Sequence, residues 1–302
     1  MRIFMTGGTG FVGTTLSTRL AAEGHEVTIL SRHVSRDRNL SPGITLIQGD
    51  PTQKGPWQDQ LDGNDVFINL AGASIFRRWT QKAKTLMRES RLQTTGNLVN
   101  ALARVQGREI VLLSASAVGY YGFHENEILG EESPHGNDYL ATLAVDWEKE
   151  ALRAEEYGVR VLLCRFGIVL GRHGGALGQM LPLFRKGLGS ALGTGNQWFP
   201  WIHEQDLVNI FRFLVEQKGL SGPINFTAPE PVTNREFTKA LGKALGKPTF
   251  LPAVPGFFLK IMKGEFGTVL LRGQRVIPKK LLHAGFRFRF PTIQDALTDL
   301  VS

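Results

Sequence analysis

A short apolar run, Arg2 to Thr6, stops abruptly at Gly7-Gly8-Thr9-Gly10-Phe11-Val12-Gly13, and an amphipathic stretch from Thr14 to Glu23 follows. Strand, glycine turn and helix in that order commit the chain early. The helix must fold back over its strand, and the next apolar run, Glu26 to Arg32, must lie parallel to the first. Gly8, Gly10 and Gly13 fit the pattern G-x-G-x-x-G, while Gly7, Gly10 and Gly13 fit G-x-x-G-x-x-G. Either reading puts small residues where a pyrophosphate approaches backbone N–H groups at a helix start. Gly7, Gly10, Phe11, Val12 and Gly13 are therefore expected to hold a dinucleotide.

Further strand candidates stand at Ile44–Gln48, Val66–Leu70, Ile110–Ser114 and Val159–Arg165, with helical stretches at Trp79–Arg104 and Asp138–Tyr157 between them. Strands alternating with helices imply an α/β fold with a doubly wound parallel sheet covered on both faces. After Gly167 the texture changes to glycine-rich loops, 171–178 and 187–200, separated by an apolar helical stretch. A helix near 204–216 and a strand at Ile224–Thr227 return to the sheet. The expected division is a Rossmann-type domain over 1–170, joined by 201–228. Substrate-side loops (171–200) and a smaller helix-rich lobe (229–302) make up the rest.

Composition narrows the classes of function. The chain of 302 residues is 42% hydrophobic and 21% charged, enough apolar material for a sizeable core. Its +8 balance is spread along the chain, with no helix-turn-helix, zinc-finger or RNA-recognition signature beside it, so nucleic acid is not an expected partner. The apolar stretch from Asp65 to Phe76 is too short to span a bilayer, and no membrane partner is expected. Cys164 is the single cysteine, an expected core residue without an intrachain disulfide partner, and a cytoplasmic location follows as the default. The histidines show no metal-ligand spacing, and no metal is expected.

An NAD site places Asp or Glu at the end of the second strand, to accept from the ribose hydroxyls. Here Ser31-Arg32 stands at that place. A hydroxyl and a guanidinium suit the 2′-phosphate of NADP(H), with a solvated strand-end arginine as the alternative. Asp50, after the third strand, is a candidate adenine contact or a plain turn residue.

Thr6 to Gly13, Asn69-Leu70-Ala71-Gly72 and Ser114-Ala115-Ser116-Ala117-Val118-Gly119-Tyr120-Tyr121-Gly122 together resemble the extended branch of the short-chain dehydrogenase/reductase superfamily. That branch contains the nucleotide-sugar epimerases and dehydratases. Asp146-Trp147-Glu148, Gly167-Ile168-Val169-Leu170-Gly171, Trp201-Ile202-His203 with Asp206, and Gly273-Gln274-Arg275-Val276-Ile277-Pro278 resemble its atypical epimerase-family subgroup. The subgroup has its own C-terminal domain, and its members carry a SulA-like cell-division-inhibitor label.

The resemblance implies cofactor contacts from Leu70, Ala71, Arg91 and Val169. It puts Ser116 in the position of the carbonyl-polarising serine and Tyr139 in that of the catalytic tyrosine. The superfamily lysine four residues on is missing, because Leu143 stands there. Without it, a tyrosine near pKa ~10 costs about 4 kcal/mol to deprotonate at pH 7. Tyr139, Leu143 and Trp147 also form an i, i+4, i+8 stripe, so a packed structural tyrosine is the competing reading. His203, Gln197 and Trp201 are expected on the substrate side, with a helix-start hydrogen bond (His203) and a buried seam (Gln197, Trp201) as their alternatives.

Two functions follow. The first is an NADP-dependent oxidoreductase or epimerase acting on an unidentified small carbonyl or sugar-like substrate. The second is a catalytically inactive NADPH-binding regulatory or scaffold protein, linked to cell division. The resemblance also points to a homodimer through the helices at 79–104 and 138–157.

Overall fold

A computed structural model describes residues 1–34, 40–105, 109–172 and 174–302. Seven parallel strands form its centre in the order β11-β7-β5-β4-β1-β2-β3. They are β1 (Arg2–Thr6), β2 (Glu26–Ser31), β3 (Ile44–Gln48), β4 (Val66–Asn69), β5 (Val111–Ala117), β7 (Arg160–Phe166) and β11 (Gly222–Phe226). Winding runs outward from β1 in both directions, so the strand order reverses between β1 and β4, where α/β sheets of this kind open a crevice at their carboxyl ends.

The period-two alternation of the inner strands sorts their side chains onto two faces. Ile3 and Met5 of β1 join Ile29, Ile68, Leu113 and Ile224 in one core layer. Over that layer lie α1 (Phe11–Ala22) and α5 (Glu204–Glu216), through Leu16, Leu20, Leu207 and Phe211. Phe4, Phe67, Leu112 and Val161 face the other way, under α2 (Gln81–Leu102) and α3 (Tyr139–Leu152), which contribute Leu98, Leu102 and Ala151. Both faces are dry, which accounts for the nearly continuous apolar reading of these strands.

Several boundaries depart from the sequence expectation. The fifth strand runs on to Ala117, so Ser116 lies inside it and not in a loop after it. The helix expected from Trp79 begins at Gln81, because the Thr80 hydroxyl accepts from the Ala83 amide and caps it. Asp138 caps α3 in the same way, and after Leu152 the chain tightens into a 3-10 turn over Arg153–Tyr157.

The rest of the chain forms a third apolar layer. It combines α4 (Gly175–Arg185), α6 (Asn234–Ala244) and α10 (Ile293–Val301) around Phe199, Trp201 and Phe237. Three separate two-stranded ladders lie outside the central sheet: β8 (Ile168–Gly171) with β10 (Trp201–His203), β9 (Trp198–Phe199) with β12 (Val232–Thr233), and β6 (Ile128–Leu129) with β13 (Arg275–Val276). Helices α7 (Gly256–Lys263), α8 (Glu265–Val269) and α9 (Lys279–His283) complete this part of the chain. Among the described residues no helix is long and apolar enough to cross a membrane.

Candidate cofactor cleft and the buried network beside it

The turn after β1 is closed around its own backbone. Gly7 has φ +70°, and a Cβ there would lie 2.6 Å from the Leu70 carbonyl carbon and 2.7 Å from the Ala71 nitrogen. At Gly13 a Cβ would stand 2.3 Å from the Gly7 carbonyl oxygen and 2.6 Å from the Gly8 Cα. These contacts press α1 against the turn and bring Leu70 and Ala71 alongside it. Gly10 instead meets only the Gly7 oxygen, at 3.3 Å, so its outer side is open. Gly10 is the α1 N-cap and supplies no side-chain cap, which leaves the first-turn amides free for an outside acceptor. The Phe11 ring reaches across to Gly171, Gly174 and Gly175, and so props the loop after β8, which carries Val169, against the start of α1.

Arg91 of α2 stands at the β4 side of this crevice. Its Nη1 donates to the Ala73 and Met87 carbonyls, at 3.1 and 3.0 Å, and its guanidinium packs on Trp147. Burial lowers its pKa to about 10, so it stays charged at neutral pH. Among the described residues no carboxylate pairs with it. A desolvated guanidinium without an anion, next to open helix-start amides and a cradle that side chains would fill, fits a phosphorylated dinucleotide.

Ser31 is buried and donates to the His33 carbonyl at 2.9 Å, while Arg32 is exposed at the end of β2. Asp50 accepts from both the amide and the hydroxyl of Thr52, at 2.9 and 2.7 Å, which places it in a side-chain turn.

Ser116 is occupied. It sits opposite Arg165 in the β5–β7 register, and α3 lays Glu148 over both. The Ser116 hydroxyl donates to Glu148 Oε1 at 2.6 Å, and Arg165 clamps both oxygens of that carboxylate at 2.8 Å each. Burial works against the Arg165 charge, yet the Glu148 carboxylate outweighs it and raises the pKa. Arg165 also lies 3.5 Å from the Tyr120 ring centroid and donates to the Tyr121 hydroxyl and the Glu131 carbonyl. Tyr121 in turn donates to Asn225, and burial pushes its pKa up to about 12.

Tyr139 is nine residues before Glu148 on α3, about 13.5 Å along the helix axis. Its hydroxyl donates to the Lys84 carbonyl at 2.8 Å, and its ring meets Trp79 edge-on. Burial raises its pKa, the reverse of what a proton acceptor needs. Ser116 and Tyr139 therefore serve separate hydrogen-bond networks and form no pair, and Leu143 is packed at 5% exposure.

The residues expected on the substrate side are tied into the protein. Trp201 is a core side chain, 1% exposed, and donates to the Glu230 carbonyl. His203 is wholly buried as the α5 N-cap: its Nδ1 accepts from the Gln205 amide, its ring stacks on Phe290, and its Nε2 is 3.3 Å from Asp299. The Gln197 amide donates to the Leu192 and Leu270 carbonyls, holding two loops together. Each has a fixed backbone partner; Trp201 and His203 are buried, and Gln197 is partly so. The Glu148–Arg165 pair, by contrast, had a signal in the sequence: a charge inside the apolar run Val161–Phe166 demands a buried counter-charge. Among the described residues no cluster of His, Cys, Asp or Glu has the makings of a metal site.

A doubly wound sheet, a glycine turn at its switch point and an unpaired cation beside it define a Rossmann-type dinucleotide-binding protein. Residues 3–225 match the family model for the NAD dependent epimerase/dehydratase family, and the chain belongs to that family. A second model, for a domain of unknown function, matches residues 254–300. The chain is 40% identical to the epimerase family protein SDR39U1 homolog, chloroplastic, of Arabidopsis thaliana, over 98% of this chain and 86% of that protein. It is 39% identical to the epimerase family protein YfhF of Bacillus subtilis, over 100% and 98%. Among solved structures it resembles human epimerase family protein SDR39U1 (isoform 2) with NADPH, at TM-score 0.88 and 35% identity over 99% of both chains. The Thermus thermophilus UDP-glucose 4-epimerase complex with NAD shares the fold, at TM-score 0.78 and 21% identity over 100% of this chain and 98% of that one.

Proposed function

We propose that the chain binds NADP(H) in this crevice and acts as an oxidoreductase or epimerase on a small carbonyl or sugar-like substrate. The observation that carries the reading is the glycine cradle at Gly7–Gly13 with the unpaired Arg91 guanidinium at its side. The human relative's complex with NADPH supports the same cofactor. The α1 amides beyond Gly10 would hold the pyrophosphate, Arg32 the 2′-phosphate, and Arg91 the charge nearer the β4 loop. The nicotinamide, when bound, supplies hydride chemistry.

The chain's own residues then set what proton chemistry is on hand. Ser116 spends its proton on Glu148, so toward a ligand it offers lone pairs and accepts. Tyr139, its hydroxyl held by the Lys84 carbonyl and the Lys84 ammonium over its ring drawn off by Glu265, is a poor base at neutral pH. This favours a second reading, an NADPH-binding regulatory or scaffold protein without turnover.

Calorimetric titration with NADPH and NADH, on the native chain and on Arg32→Ala, tests the cofactor assignment. NADPH should be preferred, and the mutant should lose about tenfold in affinity, or ~1.4 kcal/mol. Equal or absent binding of both nucleotides overturns it. Deuterium transfer from labelled NADPH to a panel of small carbonyls separates the two readings: turnover supports the enzyme, tight binding without transfer the regulator.

A further inference from the structure

Helix α7 lies against α8 yet buries none of its own residues. Phe257 is 67% exposed and Ile261 70%, with Phe258 and Met262 also in solvent. These positions span one arc of the helix; Lys260 stands just beyond its Phe257 edge, while Lys263 falls on the opposite face, in the last turn. The arc does not end with α7. Phe76, itself half exposed, packs edge-on against Phe266 of α8, and the Arg78 side chain lies beside Gly264 at the α7–α8 junction. Arg77 and Arg78 are both exposed there.

The charge on this surface has one sign. Residues 248–264, the loop into α7 and α7 itself, contain Lys260 and Lys263 and no Asp or Glu. The acid that follows, Glu265, is paired with Lys84 at 2.6 Å. A patch of aromatic and aliphatic side chains rimmed by uncompensated cations selects an occupant that is apolar inside and anionic at its edge. A second copy meeting it through a two-fold axis would set lysines and arginines against their own equivalents. A convex helix with no buried residue, apolar on one arc and basic at the rim, has the form of a segment that lies in a lipid interface.

We propose that α7, with the Phe76–Arg78 loop, docks the protein onto an anionic lipid bilayer. The four apolar side chains of α7 enter the headgroup boundary, and Arg77, Arg78 and Lys260 bind lipid phosphates. Among the described residues no helix is long and apolar enough to cross the bilayer, so the contact is one of surface, and it departs from the expectation of no membrane partner.

Vesicle flotation tests this with phosphatidylcholine alone and with about one-third phosphatidylglycerol added. The native chain should float with the anionic vesicles and be released by salt, because the phosphate contacts are screened. Phe257→Ser with Ile261→Ser, and separately Arg78→Glu with Lys260→Glu, should each weaken partition by about tenfold or more while thermal melting stays native. Failure to bind anionic vesicles overturns the proposal. So does binding that both variants retain, which would come from net charge elsewhere. Dimerisation lost in the Phe257/Ile261 variant, or capture of an acidic peptide in place of vesicles, would assign the face to a protein instead.

Discussion

Gly13 has no room for a methyl group, since the Gly7 carbonyl oxygen would stand 2.3 Å from it. Gly13→Ala must open the turn, with a loss of about 2–4 kcal/mol in stability and collapse of nucleotide binding. Chemical denaturation and titration read the two effects separately. The Glu148–Arg165 pair invites a different experiment. Removing either partner strands a buried charge, so Glu148→Gln or Arg165→Met should cost about 3–5 kcal/mol. Glu148→Met combined with Arg165→Met should cost clearly less than the sum, and a double-mutant cycle measures that coupling. The glycines were legible because their spacing is local. Ser116 was legible as a position but not in its bonding, since its partners come from thirty-two and forty-nine residues away and only the register of β5 on β7 brings them together.

At the level of the element, the N-terminus of α5 contains a pH-sensitive cap. Burial against Phe290 lowers the His203 pKa from 6.5 to about 4, although Asp299 pulls the other way. Above pH 6.5 the ring is neutral in both folded and unfolded chains and contributes no pH dependence. As pH falls from 6.5 to about 4 the unfolded chain takes up the proton first, and the fold loses up to about 3 kcal/mol. His203→Asn keeps an acceptor for the Gln205 amide and should flatten that part of the melting-temperature profile. The sequence marked Trp201-Ile202-His203 as a helix entrance, and that much is local. It leaves Trp201 and His203 between a ligand contact and a structural role, because nothing short-range reveals that α10, about a hundred residues on, arrives to cover them. The end of β5 was misjudged for a related reason: Ala115 to Ala117 read as a loop in isolation and become strand because β7 pairs with them.

For the molecule as a whole, two buried carboxylates join the sheet to the end of the chain. Asp206 of α5 accepts from the Arg289 and Phe290 amides at 2.8 and 2.9 Å. Glu131 accepts from the Asn225 amide in β11 and the Lys280 amide at the start of α9. Asp206→Ala should free the segment before α10, and hydrogen exchange over residues 286–301 should quicken at least about tenfold while the inner strands stay protected. The parallel sheet and its winding were readable from the alternation of apolar runs and helices. The third layer was not, because its pieces are short, separated by prolines and glycines, and meet only in space.

Those two carboxylates also set an order on the ribosome. Glu131 waits for an amide 149 residues downstream, and Asp206 for one 83 residues downstream. The glycine cradle needs nothing beyond Ala71 to close around Gly7. A nascent chain stalled before Lys280 therefore carries every residue of the nucleotide turn and an unfinished tail, with Asp206 lacking both of its amide donors and Glu131 one of its two. Nucleotide encountered at that stage would brace the first half of the protein while the second half is still being made.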